Sequence, residues 1–179
     1  MDLADAVMLS GETAVGKYPV KAAQTIQRIA KVTEASLGEQ TKIHPRSSAS
    51  QHLALTAAMA HSVGQIVDDI DAKLVAVWSQ SGASARFLSK TRINVPILAL
   101  TSSEKTCHQM CLHYGVIPRC RPIPTNTMEF IHTVEEIILD RNWAQVGDKI
   151  VLMAGQPIGT AGASNAIIVH TISGDSKGK

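Results

Sequence analysis

Four short apolar runs constrain what this chain can fold into: AKLVAVW (72–78), VPILAL (95–100), KIVLMA (149–154) and AIIVHTI (166–172). Each is too short for a helix of its own and is bounded by polar or glycine-bearing stretches, so each reads as a strand buried on both faces. Between them the apolar spacing becomes helical. Leu53, Ala57, Ala60 and Val67 share a face from Ser50 to about Ile70, with Gly64 beside them. Shorter helical stretches follow at 85–91 and 105–113, the latter ended by Gly115, and a longer one covers 128–142 after Thr125 as candidate N-cap. Residues 116–123 carry Pro118 and Pro122, which confines them to a sheet edge. Strands alternating with helices in this way require a mostly parallel sheet covered on both faces. Only a loop separates the last two runs, so one of them is expected to run antiparallel.

Ahead of this pattern stands a separate segment. Asp5–Leu9 (DAVML) reads as a buried strand that ends in a turn at Ser10–Thr13. Pro19 suits a first helical turn, and Val20, Ala23, Ile26, Ile29, Ala30 and Val32 continue a helical stripe toward a stop at Gly38. Residues 39–47 (EQTKIHPRS) are polar, contain Pro45 and read as a linker. The expected division is therefore 1–38, a linker over 39–47, and a domain over 48–179 with a frayed GDSKGK tail.

Composition narrows the function classes. Apolar residues make up 45% and charged residues 18%, enough for a core and too little charge for a disordered chain. Seventeen Lys and Arg against fifteen Asp and Glu, with 3% aromatics, supply neither the basic field nor the stacking surfaces of a nucleic-acid binder. No run reaches the length of a membrane span, and residues 1–9 lack the basic start of a secretory signal. The three cysteines, Cys107, Cys111 and Cys120, are too few for a disulfide scaffold, so a cytoplasmic setting is expected. Cys107 and Cys111 at helical spacing read as packing residues, and no metal site is expected.

Two loops could bind a ligand. Ser79-Gln80-Ser81-Gly82-Ala83-Ser84 follows a strand and opens a helix. Free N–H groups at a helix start, serine hydroxyls and a glycine that lets the backbone approach make a phosphate cradle. The same residues also suit a plain serine-rich capping turn. The second loop, Gln156–Asn165, joins the last two strands. Gly159 and Gly162 permit close approach there, and Thr160 and Ser164 could hydrogen-bond to a sugar or phosphate; an ordinary long hairpin loop is the alternative.

Three blocks of the sequence resemble pyruvate kinases. DAVMLSGETAVGKYPVKA (5–22) resembles the segment that closes the catalytic barrel of that family. WSQSGASARFLSKTRINVPILALTS (78–102) resembles the phosphate-loop region of its C-terminal domain, and GDKIVLMAGQPIGTAGASNAIIVHTI (147–172) its terminal strand pair. The resemblance implies a three-layer αβα domain with a five-stranded, mostly parallel sheet, preceded by the last β/α unit of a TIM barrel. It also implies a regulatory and assembly domain that binds a phosphorylated small molecule and joins a homo-oligomer, a tetramer in the intact enzyme. Ser10 and Glu12 match the rim of the parent active site. The catalytic lysine and the metal carboxylates of the family lie on earlier barrel strands that this sequence does not contain, so no phosphoryl transfer is expected of the chain alone. Magnesium and potassium are implied for the intact enzyme, and no cofactor for these residues.

The sequence also departs from the family. Relatives activated by fructose 1,6-bisphosphate carry an aromatic–Arg pair where Gln156-Pro157 stands, an Arg where Phe130 stands, and basic residues in place of Gln80 and Ala83. A second phosphate would lack its cations, and charge-assisted bonds are about twice as strong as neutral ones. The resemblance thus implies a monophosphate effector such as ribose 5-phosphate, glucose 6-phosphate or AMP. A module that only pairs subunits is the alternative.

Overall fold

The structure is a computed structural model and describes residues 4–37, 51–159 and 164–174. The chain divides into two compact units, one within Met1–Lys42 and one within Ile43–Lys179. The predicted stop at Gly38, the linker over 39–47, and Thr160 and Gly162 lie outside the described residues.

The first unit holds a single helical turn, α1 (Gly11–Ala14), and a long helix, α2 (Pro19–Leu37). Pro19 opens α2, where its missing N–H costs nothing and its fixed φ favours the first turn. Ala22, Ile26, Ala30 and Thr33 form the least exposed stripe of the helix, while Ile29 and Val32 face out. The strand expected at Asp5–Leu9 is not formed. A strand exists only as part of a hydrogen-bonded ladder, and residues 5–9 are not assigned to one; Val7 and Met8 are exposed.

The second unit is the predicted αβα sandwich. In chain order it runs α3 (Gln51–Ile70), β1 (Leu74–Trp78), α4 (Ala83–Lys90), β2 (Ile97–Thr101), α5 (Glu104–Met110), β3 (Val116–Cys120), α6 (Thr127–Asp140), β4 (Lys149–Ala154) and β5 (Ala166–Thr171). The strand order is β3-β2-β1-β4-β5. β1 pairs in parallel with β2 and β4, β2 in parallel with β3, and β4 antiparallel with β5.

Side chains alternate across the sheet and so sort themselves between its two faces. Leu74, Ala76 and Trp78 of β1, with Leu98, Leu100, Ile150 and Leu152, pack against Phe130, Ile131, Val134 and Ile138 of α6. Val75 and Val77, with Ile97, Ala99, Val151 and Met153, pack against Ala60, Val63 and Val67 of α3, Ala85 and Leu88 of α4, and Met110 of α5. All five residues of β1 and of β2 are buried, as their unbroken apolar sequences require. Each such Leu or Val side chain contributes roughly 1.5–3 kcal/mol relative to an exposed one. β3 is an edge strand that accommodates Pro118, as predicted. The cap of α6 is Asn126 rather than Thr125: its side chain accepts from the Glu129 N–H at 2.9 Å. Thr125 instead donates its N–H and its hydroxyl to Glu129 Oε2, both at 2.6 Å, which completes a reciprocal capping arrangement.

Candidate functional site

In an open parallel sheet the strand order reverses direction at one place, and the loops on either side of it diverge to leave a crevice. Here β1 continues to β2 on one side, and β4 lies on the other. The seam between β1 and β4 is the switch point. The loops leaving the carboxyl ends of these two strands are Ser79–Gly82 and the segment after Ala154, the two stretches singled out in the sequence. Because β5 runs antiparallel, the end of the second loop returns to the same edge of the sheet.

The Ser79–Ser84 turn is fixed from several directions. The Ser79 N–H donates to the Leu100 carbonyl at 2.9 Å, extending the β1–β2 ladder by one bond. Gly82 has φ +79°, a left-handed conformation that allows the sharp entry into α4. A Cβ at Gly82 would lie 3.3 Å from Thr106 Cγ2 and 3.4 Å from Met110 Cγ, so α5 packs close under the turn. The Ser79 hydroxyl accepts from the N–H of Ala85 at 3.4 Å. The helix thus takes a hydroxyl cap from six residues back, and the capping residue Gly82 contributes no side chain. The N–H groups of Ala83 and Ser84, in the first turn, have no acceptor within the helix itself.

Gln80 turns toward β2. Its Nε2 donates to Ser102 Oγ at 2.8 Å, and the Ser102 hydroxyl lies 3.1 Å from Gln80 Oε1. Ser81 is exposed, whereas Ser79 and Ser84 are buried. The turn therefore offers hydroxyls and N–H groups but no side-chain charge.

The second loop is tied to the first. Ser84 Oγ and Ser164 Oγ share a hydrogen bond of 2.5 Å, both residues being buried. At the other end of the loop, the Gln156 N–H donates to Asn165 Oδ1 at 2.7 Å, and Asn165 Nδ2 returns a bond to the Gln156 carbonyl at 3.2 Å. The Gln156 side chain reaches α6, its Nε2 donating to Thr127 Oγ1 at 2.8 Å. The Gln156-Pro157 peptide is cis. Gly159, at φ +90°, approaches Ile123 so closely that a Cβ would lie 2.7 Å from Ile123 Cγ2. The loop is thus fastened to the starts of both α4 and α6.

The structure brings Ser79, Gln80, Ser81, Gly82, Ala83, Ser84 and Ser164 to one edge of the sheet, with Gly159 in the same β4–β5 connection. Ser10 and Glu12 lie in the other unit. There the Ser10 N–H donates to Glu12 Oε2 at 3.2 Å, and bonds from the backbone N–H groups of Glu12 and Ser10 hold its carboxyl below the usual carboxylate range. Phe130, at the position aligned with an Arg, is fully buried beneath α6. Ser102, Thr127 and Asn165 are additional polar partners of the two loops. Ser102 could have been suspected from its place just past a strand end, whereas Thr127 is revealed only by the fold. Among the described residues no three His, Cys, Asp or Glu side chains converge on one point. No helix among them is long and apolar enough to cross a membrane.

Comparison with known proteins agrees with this architecture. Residues 57–170 match the family model described as pyruvate kinase, alpha/beta domain. The chain is 34% identical over 172 residues to a pyruvate kinase of Lactococcus lactis, covering 96% of this chain and 34% of the relative. It is likewise 34% identical over 172 residues to that of Geobacillus stearothermophilus, covering 96% and 29%. A crystal structure of a pyruvate kinase from Cryptosporidium parvum superposes with a TM-score of 0.79 at 23% identity, covering 93% of this chain and 32% of that one, a likeness of fold. The chain spans about a third of the length of these relatives. With a family model matched over most of its sandwich, the chain belongs to the pyruvate kinase family, whose alpha/beta domain occupies residues 57–170.

Proposed function

We propose that the sandwich is the regulatory, effector-binding and subunit-assembly domain of a pyruvate kinase, the enzyme class that converts phosphoenolpyruvate and ADP to pyruvate and ATP. Its effector is a phosphorylated small molecule carrying one phosphate, a sugar monophosphate or AMP, seated at the β1–β4 switch point. The observation that carries this reading is the Ser84–Ser164 hydrogen bond, which joins the two loops flanking the crevice. The first turn of α4 offers N–H groups and the positive end of the helix dipole to the phosphate. Hydroxyls of Ser79, Ser81 and Ser84 surround that turn, and Gln80 and Ala83 add no cation. A bisphosphate would bring a second dianion to walls without charge to receive it, and burying an unpaired charge is costly. Ser10 and Glu12 are assigned to the rim of the catalytic site of the whole enzyme, and assembly to a homo-oligomer.

The test is a titration of the purified chain, by thermal shift and calorimetry, with ribose 5-phosphate, glucose 6-phosphate, AMP and fructose 1,6-bisphosphate. Binding to the native state raises apparent stability by mass action. A monophosphate should raise the midpoint and bind more tightly than the bisphosphate. No response to any phosphate compound would leave a module that acts only in assembly. Tighter binding of the bisphosphate would overturn the inference drawn from Gln80, Ala83 and Gln156.

A further inference from the structure

Cys107, Cys111 and Cys120 are all free thiols, and two of them lie on elements that pack together, α5 and β3. Val116 of β3 packs into the cluster that holds Met110 of α5, whereas Arg119 lies over the Trp143 ring on the α6 side, 5.9 Å from its centroid. Side chains alternate along a strand, so Cys120, four residues after Val116, belongs to the α5 side. On α5, Cys107 stands one turn before the buried Met110, on the same stripe of the helix. The two cysteines also match in height along the sheet. Thr101 is the register partner of Cys120, and α5 begins just past it at Glu104 and runs back down the sheet toward Val116. The first turn of α5, which holds Cys107, thus lies beside the end of β3. Burial pushes the Cys107 thiol up, and of the nearby charges that of Cys120 acts on it most, ahead of Cys111.

We propose that Cys107 and Cys120 are a thiol-modification site, oxidised to a reversible disulfide by exchange with a low-molecular-weight disulfide of the glutathione type. Both residues are half-buried, within reach of a small reagent. The Cys120 thiolate attacks one sulfur of the reagent, whose other half leaves as a thiolate and takes a proton from water. Cys107, held as the thiol, then gives its proton to solvent and attacks the Cys120 sulfur, expelling the second small thiol. Two protein thiols are oxidised, and one small disulfide is reduced to two thiols. Cys111 is the worse partner for Cys107. Residues four apart on a helix keep their Cβ atoms about 5–6 Å apart, and a disulfide needs about 3.5–4.5 Å. The Cys111 Sγ instead donates to the Cys107 carbonyl at 3.6 Å. The bond would fasten α5 to the edge strand. It would also reach the serine turn, because Thr106 and Met110, which flank Cys107 on α5, are the residues packed under Gly82. The site stands whether or not that turn binds an effector.

The test is a redox series of the purified chain in glutathione disulfide and glutathione, quenched by alkylation, digested and mapped by mass spectrometry. A peptide linked through Cys107 and Cys120 should appear, with Cys111 alkylated, and the link should be lost on adding dithiothreitol. Cys107→Ser should trap glutathione on Cys120, and Cys111→Ser should leave the link unchanged. A link between Cys107 and Cys111, glutathione on Cys111 with no internal bond, or no oxidation across the series would each overturn the proposal. The link is read on the chain with all three cysteines, so the outcome does not depend on how well a variant folds. Hydrogen exchange adds a readout of the turn: the amides of Gly82 and Thr106 should exchange more slowly in the oxidised chain, and unchanged exchange would overturn the coupling to the serine turn.

Discussion

Ser84, in the first turn of α4, and Ser164, just before β5, are 80 residues apart in sequence and share a buried hydroxyl–hydroxyl bond of 2.5 Å. A buried hydroxyl that loses its partner is left with an unmet donor or acceptor, at a cost of about 1–3 kcal/mol. Ser84→Ala and Ser164→Ala should each destabilise the chain by about that amount in urea unfolding. The double variant should cost clearly less than their sum, because the second substitution removes a group already stranded. Strict additivity would mean that the two hydroxyls do not meet in solution. On the effector reading, each single variant also weakens sugar-phosphate binding.

Gly82 tests the turn itself. Its φ of +79° costs an L-residue about 1–2 kcal/mol, and a Cβ would press on Thr106 and Met110. Gly82→Ala should lower the thermal midpoint by roughly 2–8 °C for a chain of this size. Gly82→Asn should do less harm, since asparagine tolerates the left-handed region better. Equal effects of the two would show that crowding against α5, and not backbone conformation, governs the site.

Glu135 is 1% exposed on α6, and its Oε1 accepts from the Ser173 N–H at 2.9 Å and lies 2.8 Å from His170 Nε2. These bonds fasten the last strand to the helix that covers it. Glu135→Ala should destabilise by about 2–3 kcal/mol and speed amide exchange along β5. Glu135→Gln keeps a carbonyl acceptor and should cost less. If the two variants behave alike, the carboxylate is not the fastening.

Glu129 gives a pH dependence. Hydrogen bonds from the hydroxyl and the N–H of Thr125 hold its carboxyl below the ordinary carboxylate value. A depressed folded-state pKa means that the unfolded chain takes up its proton first as pH falls. The stabilisation is complete above the ordinary carboxylate range and is lost as pH drops through the lower folded-state value. Glu129→Gln should flatten that part of the acid limb in urea midpoints measured across pH 2–6. An unchanged limb would assign the acid sensitivity to other carboxylates.

The layers of the sandwich were legible because its strands are buried on both sides and so carry unbroken apolar sequence. LVAVW and ILALT could hardly be anything else once helices stood between them. The antiparallel β5 was legible from the lack of a helix before it. Asp5–Leu9 misled for the opposite reason: an apolar run marks a strand only if a partner is there to pair with it, and the sequence of a run does not say so. The cap of α6 moved from Thr125 to Asn126 because both residue types suit the role, and only the position of Glu129 decides between them. Within the site, the serine loop could be read from its residues. Its connection to Ser164, and the approach of Gln156 to Thr127, come from the crossover that places β4 beside β1.

That crossover also orders the assembly of the domain in time. β1 finds β2 through a short connection, Val75 pairing with Ile97, whereas its other neighbour comes from far along the chain, Val75 pairing with Val151. Loop-closure entropy favours the nearer pairing first. A kinetic nucleus of β1, α4, β2, α5 and β3 would therefore form before the β4–β5 hairpin docks along the open side of β1. In pulsed hydrogen exchange during refolding, amides of Ile97–Leu100 should gain protection before those of Ile150–Met153; the reverse order would rule this sequence out. The crevice straddles the seam that this order closes last, so on the effector reading binding would report a finished fold.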